Sequence, residues 1–144
     1  MMQVKIKKLT PEAKIPTYAK PGDAGMDITA TSMVMKEDYI EYGTGLSFEI
    51  PEGYVMLIFP RSSISNKDLS LTNCVGVLDS GYRGELRFRF KPVYKYAKLQ
   101  YDYYNVGDRI GQIIIIPYPT IEFKEVDNLS DSVRGTGGFG SSGE

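Results

Sequence analysis

The sequence predicts an all-β domain, a sandwich or barrel, and three observations carry that expectation. Short runs rich in Val, Ile, Tyr and Phe are separated by Gly, Pro, Asn and Asp at short intervals. The segment E-L-R-F-R-F from Glu85 alternates cleanly, so Leu86, Phe88 and Phe90 face one side while Arg87, Arg89 and Lys91 face the other. Helical signals are poor, the best being a turn or two after Pro60, around Ser63 to Leu69.

In chain order, the clearest strands are V-K-I-K-K-L from Val4, M-D-I-T-A from Met26 and Y-V-M-L-I-F from Tyr54. A run with Val75, Val77 and Leu78 then leads into Asp79, a Ser-Gly turn, Tyr82 and the strand at Leu86, Arg87 and Phe88. That pattern reads as a β-hairpin, with Gly81 and Gly84 supplying turn or bulge geometry. I-G-Q-I-I-I-I from Ile110 is the last strand. No internal repeat is visible.

Composition excludes several classes. With 144 residues the chain is one domain, and a compact domain of that size buries about 68–70% of its unfolded surface. A net charge of −1 offers no broad basic field for nucleic acid or an anionic membrane. No apolar run approaches the ~20 residues of a membrane span, and the start, M-M-Q-V-K-I-K-K-L, is too poor in apolar residues for a secretory signal. The single cysteine, Cys74, excludes an internal disulfide and suits a reducing, cytoplasmic compartment. Between Asn73 and Val75 it is expected to be a small buried filler in a strand. There is no histidine, so Ser-His-Asp and Cys-His triads and His-containing zinc sites are excluded.

Residues 73–86, N-C-V-G-V-L-D-S-G-Y-R-G-E-L, are the most informative block. A carboxylate at the mouth of a hairpin, with an aromatic ring three residues on, makes a compact small-molecule site. The plainer alternative is that Asp79 only closes an Asx-turn. Four further segments are locally unusual: A-G-M-D-I-T-A from Ala24, P-R-S-S-I-S from Pro60, G-D-R-I-G-Q from Gly107 and R-G-T-G-G-F-G-S-S-G from Arg134. In this order and spacing the five resemble the motifs of the homotrimeric dUTP diphosphatases (dUTPases). The connecting text I-P-T-Y-A-K-P-G-D and T-G-L-S-F-E-I-P-E-G-Y resembles that family too, so the likeness runs from about Lys5 to the C-terminus.

The resemblance implies a distorted jelly-roll β-barrel over residues 1–133, with one short helix. Residues 134–144 would be a flexible glycine-rich arm that closes over an active site shared between subunits of a homotrimer. The implied reaction is Mg²⁺-dependent hydrolysis of dUTP to dUMP and pyrophosphate, with Mg²⁺ held mostly by phosphates and water. By resemblance Asp79 orients and activates the attacking water and contacts the sugar 3′-hydroxyl, and Gln112 and Arg134 serve the phosphates. Asp27 would be an outer-shell metal partner through water, or simply a strand-end carboxylate. Arg61, Ser62 and Ser63 would form an anion site at a helix start, or a surface arginine beside a capping serine. Asp108 and Arg109 are expected to pair structurally near the subunit interface.

For base and sugar, the expected contacts are Asn73, Gly76, Val77, Leu78 and Arg87, with Tyr82 packing on the deoxyribose. Phe139 would stack over uracil, and Gly140, Ser141 and Ser142 would add contacts at the γ end. The arm has a plainer reading as a solvated terminus, which Gly/Ser-rich ends commonly are.

The chain departs from the family pattern in places. Ser63 and Ser65 stand where Gly and Ala are usual, Gly111 replaces a usual Ala, and Ser142 a usual Thr. Residues 91–104 are longer and richer in tyrosine than the family norm, as an extended hairpin or a partner-binding patch. Two other classes stay open. A dCTP deaminase shares the fold and an Arg-Ser-Ser motif, here Arg61-Ser62-Ser63, although Asp79 and the Gly-Gly-Phe-Gly arm point away from it. A non-enzymatic protein built on the fold would be expected to lose Asp79, Tyr82 or the arm.

Overall fold

A computed structural model describes residues 2–93, 102–138 and 140. The described residues form nine strands in two antiparallel sheets around one core, all-β as the sequence predicted and a distorted jelly roll as the resemblance implied. The strands are β1 (Lys5–Lys8), β2 (Met26–Thr29), β3 (Ser32–Met35), β4 (Ile40–Glu49), β5 (Tyr54–Phe59), β6 (Leu69–Leu71), β7 (Gly76–Leu78), β8 (Glu85–Pro92) and β9 (Arg109–Pro117). One sheet runs β1-β4-β8-β6, with β3 also on β4; the other runs β2-β9-β5-β7. No ladder joins the two sheets among the described residues, so the layers face each other without closing into a barrel.

Alternation decides which faces meet. Leu86, Phe88 and Phe90 turn inward as expected, and meet Met56, Ile58, Ile110 and Ile113 from the other sheet in one core. Within it the Phe90 ring lies 5.7 Å from Tyr42 and 5.6 Å from Tyr104, spacings at which aromatic pairs attract. Gly111 has no room for the usual alanine methyl, because the Phe88 ring fills that space and the Phe59 carbonyl lies 2.9 Å from it.

Three expectations need correction. The strands flanking Asp79 are not a hairpin: β7 pairs with β5, whereas β8 pairs with β4 and β6 in the opposite sheet. The Ser47 hydroxyl takes up the Arg83 and Gly84 carbonyls, which draws the second strand onto β4 and splays the pair. Cys74 is exposed at φ 58° in a turn, its N–H bonded to the Leu71 carbonyl. The helix is a 3-10 turn at Ser62–Asn66, and Leu69 already belongs to β6.

The outer face of the first sheet carries a charged network. Glu41, buried on β4, accepts from Arg87 at 2.8 Å and from Arg89 at 2.7 Å. The Arg89 hydrogen bond, opposed by burial and helped by Arg87, holds the Glu41 carboxyl below its ordinary value of 4.5. A depressed folded-state pKa contributes stability that is present above the ordinary value and lost as pH falls through the folded one. The melting temperature is therefore expected to fall on acidification below pH 4.5. Glu41→Gln should flatten that fall while lowering stability at pH 7 by about 1–3 kcal/mol; parallel acid profiles for the two proteins would remove Glu41 as the source.

Candidate functional site

The splay of β7 from β8 opens a cleft of ≈ 330 Å³, at the small end of ligand pockets, which span about 300–1,000 Å³. Asn73, Gly76, Val77, Leu78, Asp79, Tyr82 and Arg87 all line it, so seven residues picked from sequence converge on one cavity. The wall is made by β7 as the terminal strand of its sheet. One side of its backbone is occupied by β5, and the other pairs with no strand among the described residues, leaving N–H and C=O groups along it. Gly76 is required by close approach: a Cβ there would stand 2.9 Å from Ile58 and 3.2 Å from the Asn73 amide nitrogen.

At the mouth, the Asp79 carbonyl accepts the Tyr82 N–H at 3.1 Å, a backbone turn. The Asp79 carboxylate is exposed and accepts no hydrogen bond among the described residues, unlike an Asx-turn residue. Tyr82 is exposed, its hydroxyl donating to the Glu85 carbonyl at 3.1 Å. Arg87 is clamped by Glu85 at 2.9 Å and Glu41 at 2.8 Å, and these carboxylates, Glu85 foremost, raise its pKa.

A second group of candidates gathers toward the opposite edge of the sheet that β7 ends, on β2 and β9. Asp27 on β2 lies in register with Gln112 on β9, and Phe59, just before Pro60 and Arg61, is in register with Gln112 on the other side. Asp27 takes Arg61 Nε at 2.8 Å on one oxygen and Arg109 at 3.0 Å on the other. Arg61 also donates to the Ser63 hydroxyl at 3.1 Å, a contact the family's usual glycine could not make. Gln112 donates to the Pro60 carbonyl at 3.0 Å, and its Oε1 occupies the space beside Gly25 where a Cβ would fall. Asp108 closes the turn before it by accepting the Asn105 N–H at 2.7 Å, and Arg109 is turned to Asp27 instead of pairing with Asp108. Ser62 is exposed and Arg61 makes no side-chain cap, so the capping alternative for this pair does not hold.

The two groups stay apart within one chain. Among the described residues none lines both the cleft and the small polar pocket that includes Thr17, Asp23, Asp27 and Gln112. Across the sheet β5 lies between β7 and β9, an offset of two ladder spacings or about 10 Å. Arg134 is in neither group; it is exposed, with Nε donating to the Gly137 carbonyl at 3.0 Å. Gly140 is exposed at φ 84°, whereas Phe139, Ser141, Ser142 and residues 94–101 of the tyrosine-rich segment lie outside the described residues. Sequence reasoning missed Ser47 and Glu85, which anchor the cleft; the Y-G-T-G run in a strand was the available signal for a bulge at that point.

A jelly roll with a nucleoside-sized cleft at a sheet edge, and arginine and glutamine gathered at another edge, defines a small-molecule enzyme of nucleotide type. The family comparison makes this particular: the dUTPase model matches residues 11–143. The deoxyuridine 5′-triphosphate nucleotidohydrolase of Leifsonia xyli subsp. xyli is 44% identical over 133 residues, 90% of this chain and 86% of the relative. That of Solibacter usitatus is 41% identical over 149 residues, covering 99% and 97%. Among solved structures, a mutant of the Staphylococcus bacteriophage 80alpha dUTPase with dUpNHpp matches at TM-score 0.85 and 29% identity, covering 100% of both chains. A mutant dUTPase from phage phi11 of S. aureus, described for the coordination of a structural Mg(II) ion, matches at TM-score 0.74 and 26% identity over 90% of this chain and 100% of that one. The chain belongs to the dUTPase family and is an enzyme of that family. The deaminase and non-enzymatic alternatives fall away with that membership.

Proposed function

We propose that the chain hydrolyses dUTP to dUMP and pyrophosphate, by attack of water on the α-phosphate. The observation that carries this reading is the cleft itself, where Asn73, the free β7 edge, Asp79, Tyr82 and Arg87 meet. Uracil offers acceptor, donor and acceptor along its pairing edge, which the free β7 backbone and the Asn73 amide complement. Cytosine reverses two of those groups and would leave polar atoms unpaired at about 1–3 kcal/mol each. Tyr82 packs on the deoxyribose and excludes a 2′-hydroxyl. With no histidine in the chain, Asp79 is the candidate base, and its unengaged carboxylate is free to orient a water.

Arg61, Ser62, Ser63, Gln112 and Arg134 receive the phosphates, with Arg61 pre-set by its contact with Asp27. The donor set fits a Mg²⁺ bound chiefly by triphosphate and water: the described residues contain no cluster of three or more carboxylate or thiol ligands. Asp27 is the residue that would face such a hydrated ion, through water, since both its oxygens already accept from arginines. When bound, the ion neutralises charge on the triphosphate.

Because the phosphate-binding candidates and the cleft are separated within one chain, the reading includes a homotrimer with shared sites. The segment after β9 supports it. Phe123 is 90% and Leu129 87% exposed, so these apolar side chains cover nothing on their own subunit. Residues 134–144 would then be the arm that reaches a neighbouring site and places Phe139, Gly140, Ser141 and Ser142 on the nucleotide. No helix among the described residues is long and apolar enough to cross a membrane, and we place the enzyme in the cytoplasm on its lone cysteine.

Product analysis on dUTP, dCTP, dTTP and UTP, with Mg²⁺ and with EDTA, tests the reading. Pyrophosphate from dUTP alone, and only with the metal, is the expected result. Ammonia from dCTP, or equal turnover of dUTP and dTTP, would overturn it.

A further inference from the structure

Tyr82 keeps its place because the backbone that follows it is fastened to β4. The buried Ser47 hydroxyl donates to the carbonyls of Arg83 and of Gly84, the latter at 3.1 Å. One oxygen of Glu85 accepts the Gly45 N–H at 2.9 Å, and the other accepts Arg87 Nε at 2.9 Å. These contacts fall where the β4–β8 ladder slips, between Gly43 and Ser47, with Gly45 at φ 65°. The Glu85 carboxylate sits over that bulge, 2.8 Å from where a Cβ on Gly43 would stand.

The ring itself is bounded on one side by Gly84. A Cβ at Gly84 would run into the Tyr82 hydroxyl and ring carbons, the outermost of them at 3.0 Å. Gly84 is not among the positive-φ glycines, so a methyl there would meet chiefly the Tyr82 ring, whose exposed end would have to move aside. The hydroxyl then finds the Glu85 carbonyl at 3.1 Å. Ring, glycine and carbonyl therefore define one resting position, held to β4 by two side chains.

We propose that Ser47, Gly84 and Glu85 are positioning residues that set the Tyr82 ring and through it the discrimination between dUTP and UTP. This rests on the reading that Tyr82 packs on the deoxyribose. Ser47 and Glu85 could instead serve folding alone, by closing the β4 bulge. The two roles differ in what they do to substrate choice. A loosened fold lowers kcat/KM for both nucleotides together, whereas a displaced ring admits the ribose hydroxyl and changes their ratio.

The test measures kcat/KM for dUTP and UTP, with a thermal melt, in Gly84→Ala, Glu85→Ala, Glu85→Gln, Tyr82→Ala and the Gly84→Ala/Tyr82→Ala double variant. Gly84→Ala and Glu85→Ala are expected to raise the UTP-to-dUTP ratio about tenfold. Glu85→Gln, which keeps an acceptor for the Gly45 N–H, should return the ratio toward that of the unaltered enzyme. Gly84→Ala should add nothing once the ring is gone. If Gly84→Ala does not fold, the contrast between the two Glu85 variants decides. A ratio unchanged in Gly84→Ala and Glu85→Ala but raised in Tyr82→Ala overturns the latch and leaves the Tyr82 role standing. A ratio unchanged in Tyr82→Ala itself overturns both.

Discussion

Asp79→Asn is expected to lower kcat for dUTP by about 10²–10⁴-fold, with the affinity for a non-hydrolysable analogue changed only a few-fold. The substitution keeps the size and shape of the side chain and removes its charge and its capacity to accept a proton. It should not disturb the turn, because that turn is closed by the Asp79 carbonyl and the Tyr82 N–H. Nor does it break an internal contact, since the carboxylate accepts no hydrogen bond among the described residues. A neutral amide can still hold a water but cannot draw a proton from it, so the loss belongs to kcat. Single-turnover kinetics and analogue titration on the same preparation check the split. Turnover within about threefold of the unaltered enzyme would show that Asp79 is not the base. The sequence contains no histidine to take over the task, so the residual rate sets an upper limit on what positioning and any weaker base supply.

How far this site could be read in advance depended on whether the signal was local. Tyr54–Phe59 emerged as a strand with the expected bounds because it is a compact β-rich run ended by proline. The longest strand, Ile40–Glu49, went unread: it is buried on both faces, carries two glycines, and so shows no alternation. The false hairpin at Asp79 came from correct turn chemistry with the wrong partner. A turn sequence says that the chain reverses, while the strand that receives it is fixed by Ser47 and Glu85 contacts some 36 to 40 residues away. The same limit applies to Asp27, whose arginine partners lie 34 and 82 residues along the chain. Residue types at the cleft were legible as motifs; their mutual arrangement was set by non-local packing. Cys74 was misjudged because β-propensity around it outweighed the turn signal of Thr72-Asn73, and the turn prevailed.

Deletion of residues 134–144 is expected to leave the melting temperature and the oligomeric mass unchanged, and to lower kcat/KM for dUTP by about 10²-fold or more. The stability half of this follows from the described part of the segment, residues 134–138 and 140. Arg134, Gly135 and Thr136 are exposed, and the bonds nearest Arg134 are local, from Gly137 N–H to the Arg134 carbonyl at 3.2 Å and from Arg134 Nε to the Gly137 carbonyl at 3.0 Å. Removing them withdraws nothing from the core between the sheets. The activity half follows from the proposed placement: a guanidinium, glycine amides and serine hydroxyls suit phosphate oxygens, and a lone Phe139 among glycines can cover a flat base. Fixing a segment so rich in glycine and serine costs conformational entropy, which contacts to nucleotide would offset in the proposed placement. Arg134→Ala should therefore reproduce part of the loss, in kcat more than in KM, if its contacts strengthen as charge develops on the α-phosphate. Size-exclusion mass, a thermal melt and steady-state kinetics on both variants separate the possibilities. Full activity in the truncated enzyme would make the arm a solvated terminus, and a collapsed oligomer would assign it to assembly instead of to closure of the site.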